Sequence, residues 1–381
     1  MEIETPKGFN DYTGKEAEKR SVIQEIVKNI FERYGFEPAE TPIVEYEEFV
    51  KGDNSNDEAV SDIFKLTDKG KRNLALRYEL TFQIKRLMKN RKLPYKRFQI
   101  GPVFRDEPVK RNRFRQFTQC DADIIGVQDS GTKEEAELLS VFNEILKRLK
   151  INAIFYVNNR KLLNEILSEE GIKEKDKEQV IREIDKFDKL SEKEVRGNLK
   201  KYNAEKIIEI FKKRENYFEK YKSYLEIKNL KEYCKLYGIE IKFQPTLARG
   251  LSYYNGSVFE IKVRGMKETI IAGGSYEFNG VQSTGLSLGL DRLSEVTNLI
   301  INLEKILIVS LNQDKQAIRL AQKLRNQGKN VAIYYGKPSK ALEYANAYGI
   351  KKVVFVGSKE VKIKKFKIKD MKTGRESGLK L

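Results

Sequence analysis

Two runs of the chain, KRFQIGPVFRDE (Lys96–Glu107) and RQFTQCDADIIG (Arg115–Gly126), read as long strands joined only by the charged link PVKRNRF. A link that short cannot make the crossover of a dozen or more residues that parallel strands require, so the two runs must lie antiparallel. That pairing commits the N-terminal region to an antiparallel sheet, and helices must cover it. In EAEKRSVIQEIVKNIFERYGF, Val22, Ile23, Ile26, Val27, Ile30 and Phe31 recur at helical spacing, with Gly35 as a left-handed stop. Further on, IFKLTDKGKRNLALRYELTFQIKRLM shows two short strand runs around the turn Asp68-Lys69-Gly70, then a helical spacing.

From 152 to 240 the pattern changes to lysine, glutamate and helix-spaced apolar residues, as at Ile207, Ile208, Ile210 and Phe211, which predicts a helical insertion. Strand signals return in IEIKFQPTLARGLSYYNGSVFEIKV and ETIIAGG, and GLSLGLDRL precedes a helix. Past Leu303 the chain alternates KILIVSL, KQAIRLAQKLRNQG, NVAIYY, SKALEYANAYG and KKVVFVG, the βαβ pattern of a separate α/β domain. The expected organisation is an α+β core over 1–151 and 241–300, the insertion at 152–240, and a last domain at 303–381.

No run approaches the roughly 18 apolar residues of a membrane span, and MEIETPKGFND lacks a secretory layout, so the cytoplasm is the expected compartment. Two cysteines, Cys120 and Cys234, are too few for a disulfide framework or a four-thiolate zinc site. The net charge of +18 calls for a polyanionic partner, nucleic acid first, or else records a lysine-rich surface. Histidine is absent, which removes Ser-His and Cys-His nucleophiles and every His-containing metal site. Chemistry here must rest on Arg, Lys, Asp, Glu, Tyr, backbone groups and a hard metal ion such as magnesium.

Three arginines stand where strands or glycine-rich turns would hold them rigidly: Arg105 in VFRDE, Arg249 in ARGLSYY and Arg292 in GLDRL. Convergent guanidiniums suit a triphosphate, because they stay charged and offer a planar fork to phosphate oxygens. Each could instead pair locally, Arg105 with Asp106 or Glu107 and Arg292 with Asp291. In FTQCDAD, Gln119, Asp121 and Asp123 alternate and so point to one sheet face, either a solvated face or the floor of a polar pocket. Tyr253 and Tyr254 read as core or as site residues. Gly273, Gly274, Gly285 and Gly289 read as bulges and turns or as close approaches to a nucleotide. No Walker A pattern exists and no GxGxxG follows a strand, which disfavours P-loop and Rossmann nucleotide binding.

Taken in order, these segments resemble the class II aminoacyl-tRNA synthetases, and among them the histidyl-tRNA synthetases, over essentially the whole chain. TPKGFNDY resembles the family's opening, and YGFEPAETPIVEYEEF, with Pro42, resembles motif 1. RFQIGPVFRDE with RNRFRQFTQCDADIIG resembles motif 2, and GLSLGLDRL resembles motif 3. LRYELT and LARGLSYY narrow the match, in forms close to those of the archaeal and eukaryotic branch, and VNNRKLLNEIL and DKFDKL are further family-like runs. The resemblance implies a class II antiparallel sheet with flanking helices, a helical insertion and a C-terminal α/β anticodon-binding domain.

It also implies a two-step reaction, in which histidine and ATP form histidyl-adenylate and the histidyl group passes to the 3′ end of tRNA(His). The arginines matching Arg105 and Arg249 would stabilise charge at the α-phosphate and reach the substrate carboxylate, with Arg113 and Arg292 on the distal phosphates. Phe117 and Arg292 would sandwich the adenine, and Glu107 would belong to the ATP site. Glu79, Leu80, Thr81 and Gln119 would hold the amino group and backbone of histidine. Asp123 would accept from a ring nitrogen, and Tyr253 and Tyr254 would line the imidazole pocket. Such a site suits a ring with two unlike nitrogens, and an analogue lacking either would leave a buried group unpaired, worth about 10⁴-fold in discrimination. The implied partners are L-histidine, ATP with Mg²⁺, tRNA(His) and a second copy of the chain, and no membrane.

Departures from the family pattern are Ser252 where aspartate is common, Ser275 where GGRYD has arginine, Glu277 for its aspartate, and a short loop between AGGSYEF and GLSLG. The tail, Lys351 to Leu381, carries eleven Lys or Arg against three Asp or Glu, which fits phosphate contacts, but it stops where family members continue into a closing helix. Two other readings compete: a non-catalytic paralogue such as the regulatory subunit of ATP phosphoribosyltransferase, and a module that only senses tRNA. The first would be expected to lose the arginines and the last domain, the second to carry a damaged adenylation site.

Overall fold

The computed structural model describes residues 3–52, 58–109, 113–128, 131–188, 190–249, 253–266, 268–299 and 304–379. Lys110 to Asn112 of the basic link, Lys189 of DKFDKL, Ser252 and the boundary at Leu303 lie outside them. The chain forms two compact units, Met1–Leu299 and Ile300–Leu381.

In chain order the strands of the first unit are β1 (Glu37–Pro38), β2 (Val44–Tyr46), β3 (Lys65–Thr67), β4 (Asn73–Leu76), β5 (Tyr95–Phe104), β6 (Gln116–Ile125), β7 (Ala153–Asn159), β8 (Ile241–Phe243), β9 (Tyr254–Val263), β10 (Thr269–Phe278) and β11 (Val281–Gly289). Eight of them form one sheet, in the order β1-β5-β6-β11-β10-β9-β7-β8, and β2-β4-β3 form a small second sheet. The long pair is β5 and β6, antiparallel from Tyr95 opposite Ile125 to Phe104 opposite Gln116. Only the short outer strands β1 and β8 join in parallel.

The first helix, Gly14–Arg33, buries Ile23, Val27, Ile30 and Phe31, one stripe of its predicted face. It ends at Gly35, whose φ of +77° lets the Phe36 amide return to the Phe31 carbonyl. A second helix, Thr132–Arg148, buries Leu138, Leu139, Val141, Phe142 and Ile145 in the same core. With one face of the sheet closed by these helices, the other is left open to carry a polar site.

Among the described residues of 160–236 the elements are all helices, as their pattern predicts, but Ala153–Asn159 is β7, a strand of the large sheet paired with β9. The apolar run IFYV of that strand stands directly before the helical spacing that dominates the rest of the span. The short loop after AGGSYEF is a two-residue turn, Asn279-Gly280, with φ of +52° and +74°, closing β10 onto β11. Paired positive φ values are what a tight hairpin needs and what Asn-Gly supplies.

The second unit is a five-stranded sheet of β12 (Lys305–Ser310), β13 (Asn330–Tyr335), β14 (Lys352–Val356), β15 (Lys367–Asp370) and β16 (Glu376–Gly378), in the order β13-β12-β14-β15-β16. Its first three strands run parallel, joined through helices Asp314–Asn326 and Pro338–Ala347, and its last two turn antiparallel.

Candidate active site

The open face of the large sheet carries a cavity of about 220 Å³. Every site residue expected from the sequence lines it except Leu80: Glu79, Thr81, Arg105, Glu107, Arg113, Phe117, Gln119, Asp123, Arg249, Tyr253, Tyr254 and Arg292. Leu80 is fully buried in the protein, and its contribution is a carbonyl that accepts from Arg97 at 2.8 Å. Its side chain does not line the cavity.

One end of the cavity is acidic and aromatic. Gln119, Asp121 and Asp123 project from β6 as the alternation predicts, and the residues opposite them on β11 are Gly289, Ser287 and Gly285. Gly285 is required by space, since a Cβ there would lie 2.0 Å from Asp123 Oδ1. Asp123 is held by Arg97 Nη2 at 2.6 Å from Oδ2 and by the Tyr276 hydroxyl, which donates to Oδ1 at 2.6 Å. Arg97 is fully buried beneath the acids. Gln119 donates to Ser287 at 2.5 Å, and the Tyr253 hydroxyl donates to Glu79 Oε2 at 3.2 Å. Tyr253 stands 4.7 Å from Tyr254 and 5.8 Å from Tyr276, ring centre to ring centre.

Burial pushes the carboxyls of Glu79 and Asp121 up to about 7, against the pull of Arg105 on the first and Arg97 on the second. Asp123 is also raised by burial, with Arg97 and Tyr276 opposing. Burial raises the hydroxyls of Tyr253, Tyr254 and Tyr276, so all three stay neutral hydrogen-bonding groups. Besides Asp123 Oδ2, whose partner is the Arg97 ion pair, three buried acceptors of this end, Glu79 Oε1, Gln119 Oε1 and Asp121 Oδ2, have no hydrogen-bond partner among the described residues. Acceptors buried without donors are costly, so this end of the cavity is built for a ligand that brings donors.

The other end is cationic. Arg105 is held by the Tyr78 carbonyl at 3.1 Å and lies 5.1 Å over the Phe117 ring. Glu107 pairs with Arg113 and, at 3.8 Å, with Arg105, so the local pairing considered for Arg105 does occur. Arg249 has a left-handed backbone, φ +62°, and donates to Glu260 at 2.7 Å. Arg292 does not pair with Asp291. Asp291 is taken by Arg20 and Tyr12, both at 2.8 Å, and by the Thr118 amide at 2.9 Å, which leaves Arg292 to donate to the Thr269 carbonyl at 2.5 Å. Burial and then the charges of Arg113 and Arg105 push the Arg292 guanidinium down. Like charges brought together inside a cavity are relieved by an anion.

Arg97, Asp121, Tyr276 and Ser287 complete the site and were not assigned to it from the sequence. Asp121 carried a signal in its alternation with Gln119 and Asp123. Tyr276 carried none beyond the glycine pair before it, and Arg97 looked like one more basic residue in a strand.

Known proteins resemble this chain along its whole length. A family model described as histidyl-tRNA synthetase matches residues 8–293, and one described as anticodon binding domain matches 305–381. "Histidine--tRNA ligase 1" of Bacillus cereus is 34% identical over 415 aligned residues, covering 99% of this chain and 95% of the relative. "Histidine--tRNA ligase" of Clostridium acetobutylicum is 31% identical, covering 98% and 97%. The crystal structure of histidyl-tRNA synthetase from Nostoc sp. PCC 7120 superposes with a TM-score of 0.85 at 24% identity, over 100% of this chain and 97% of that one. An ATP phosphoribosyltransferase regulatory subunit/histidyl-tRNA synthetase from Bacillus halodurans superposes with a TM-score of 0.77 at 22% identity, over 93% and 98%.

Proposed function

The chain belongs to the histidyl-tRNA synthetase family, and from that premise we propose that its cavity activates L-histidine with ATP and passes the histidyl group to tRNA(His). The observation that carries this reading is the division of one cavity into two ends of opposite demand. Glu79, Gln119 and Asp121 present three unpartnered acceptor atoms, and an α-ammonium offers three N–H donors. Asp123 and the hydroxyls of Tyr253, Tyr254 and Tyr276 lie beside them; Tyr253 and Tyr276 already donate to Glu79 and Asp123 and so offer the ring their oxygens, and together the group suits a ring with two unlike nitrogens. Arg105, Arg113, Arg249 and Arg292 line the remainder and suit a carboxylate next to a triphosphate.

In the first step the histidine carboxylate attacks the α-phosphorus of ATP, the bond to the β-phosphate oxygen breaks, and pyrophosphate leaves. The ribose hydroxyl of the tRNA terminus then attacks the carbonyl of the adenylate, and AMP leaves. Arg105 and Arg249 would meet the charge developing at the α-phosphate, Arg113 and Arg292 the departing pyrophosphate, and Phe117 and Arg292 the adenine. Positioning and preorganised charge suffice for such a transfer, so the absence of histidine from the chain is no obstacle. Magnesium would come with the nucleotide. Of the two carboxylates lining the arginine end, Asp291 is taken by Arg20, Tyr12 and the Thr118 amide, which leaves Glu107 to hold the ion, and a single protein carboxylate fits an ion that keeps its waters and phosphate oxygens as ligands.

Residues 300–381 hold nineteen Lys or Arg against six Asp or Glu, a net +13 of the chain's +18. That concentration supports tRNA binding by this unit, with affinity that falls as salt rises. It also argues against the regulatory paralogue, as does the full set of arginines. In the motif 1 segment Ile43, Val44 and Tyr46 are 40%, 43% and 56% exposed, which supports a homodimer through this face. Sedimentation equilibrium should return twice the 44.3 kDa chain mass, and Val44→Asp with Tyr46→Asp should return the single mass. No described helix is long and apolar enough to cross a membrane, and a cytoplasmic location is part of the same proposal.

The test of the activity is ATP–pyrophosphate exchange with each of the twenty amino acids. Exchange with histidine alone is the expected result. A folded protein that binds tRNA and exchanges with none of them would establish the sensing reading instead.

A further inference from the structure

Behind the aromatic end of the cavity, on the opposite face of the sheet, lies an acid that the proposed reaction does not use. Glu135, in the first turn of the helix Thr132–Arg148, is 1% exposed, and the only side-chain hydrogen bonds it receives among the described residues come from two serines. Ser257 of β9 donates to Oε2 at 2.8 Å, and Ser275 of β10 donates to Oε1. The side chain at 275 is the one in contact with this acid, and the family-like pattern GGRYD would place arginine there. In this chain the acid therefore meets two hydroxyls and no guanidinium.

Those two serines flank an irregularity in the strand pairing. β9 and β10 pair Gly274 with Val258 and then Tyr276 with Tyr254, so Ser275 alone faces Asn255, Gly256 and Ser257. The bulge is tight, since a Cβ on Gly256 would lie 3.1 Å from Ser275 Cβ. On its far side the amides of Asn255 and Gln282 pair at 2.8 and 3.0 Å. The residues that end the bulge, Tyr254 and Tyr276, both face the cavity. Bulges bend a strand and re-aim the side chains beside them, so whatever fixes this one fixes the two rings.

We propose that Glu135 is a positioning residue for histidine recognition: its carboxyl bridges Ser257 and Ser275, sets the β9–β10 bulge, and thereby aims Tyr254 and Tyr276 at the imidazole. The proposal rests on the reading of the acidic and aromatic end as the histidine pocket. Burial, opposed by the two serines, pushes the Glu135 carboxyl up to about 8, with Glu226 raising it further and Lys161 lowering it. Glu226 and Cys234 reach it from the helix Tyr224–Leu236, and Lys161, paired with Glu226 at 2.8 Å, from the helix Arg160–Glu169. Near neutral pH the bridge is thus an uncharged acid, and alkali puts an uncompensated charge behind the pocket.

The experiment is histidine-dependent ATP–pyrophosphate exchange by wild type, Glu135→Gln and Glu135→Ala from pH 6.5 to 9.5, with KM for histidine and for ATP measured separately. Glu135→Ala should raise KM for histidine by about 10²-fold, the scale of a roughly 1 Å misplacement, and leave KM for ATP unchanged. Glu135→Gln keeps a neutral bridge and should restore the wild-type KM at pH 7. Above pH 8 the wild-type KM should climb relative to that of the Gln variant, while substrate titration, common to both, cancels in the ratio. Stability should follow the same sign: the folded-state value is raised, so the contribution is full below the unfolded value near 4.3 and is lost as pH rises through about 8. Unchanged histidine KM in both variants, or equal losses for histidine and ATP, would overturn the proposal. Should Glu135→Ala not fold, Ser275→Ala must still raise histidine KM selectively, or the proposal fails. Absence of histidine exchange by the wild type would instead strike the pocket reading itself.

Discussion

Arg249→Ala should lower kcat/KM for histidine-dependent exchange by about 10²–10³-fold, the usual loss for one preorganised donor to developing charge. The melting temperature should hardly move. Arg249 lies in the cavity wall with Glu260 as its side-chain partner at 2.7 Å. Taking it away does not strand that acid, because Lys262 stands 3.1 Å from its other oxygen. The backbone cost is also nearly unchanged, since alanine at φ +62° is strained much as arginine is. Arg249→Lys separates two components of the role. It keeps the charge and loses the planar fork, so recovery to wild-type exchange would mean that charge alone matters, and recovery of only part would assign the remainder to bidentate geometry. Exchange by Arg249→Ala within tenfold of wild type would remove Arg249 from the reaction.

How far such a site can be read from sequence depends on where its determinants lie. The strand pair β5–β6, the first helix and the βαβ unit were legible because each is specified within a short segment by spacing and turn residues. The alternation on β6 put Gln119, Asp121 and Asp123 on one face, but whether that face met water or a pocket depended on β11 lying alongside with Gly285 opposite Asp123. That juxtaposition is set by residues more than 150 positions away. The same holds for Arg292. Its neighbour Asp291 looked like its partner, yet Arg20 and Tyr12, some 270 positions earlier, claim that carboxylate and leave the guanidinium for the cavity. Arg97 and Glu135 were opaque for another reason: a buried charge and an exposed one have the same letter, and only three-dimensional packing tells them apart.

Asp123→Asn should raise KM for histidine by at least about 10²-fold and destabilise the fold by about 3–5 kcal/mol, and the two effects have separable causes. The destabilisation comes from Arg97. It is fully buried, its contact with Asp123 is its one ion pair among the described residues, and two of its nitrogens already lack hydrogen bonds there. Removing the acid's charge leaves a cation in a low-dielectric site. The loss of affinity, under the proposed reading, comes from the ring: asparagine offers one acceptor and one donor where the carboxylate offered two acceptors, and Tyr276 already uses one of them. A second substitution distinguishes these. In Asp123→Asn with Arg97→Met the stranded cation is replaced by an apolar chain of similar reach, which typically recovers the stability lost with a broken buried pair. Urea denaturation should then return most of the missing free energy, while KM for histidine stays high. If affinity returned together with stability, Asp123 would be a structural counter-ion to Arg97, and recognition of the ring would fall to the tyrosines alone.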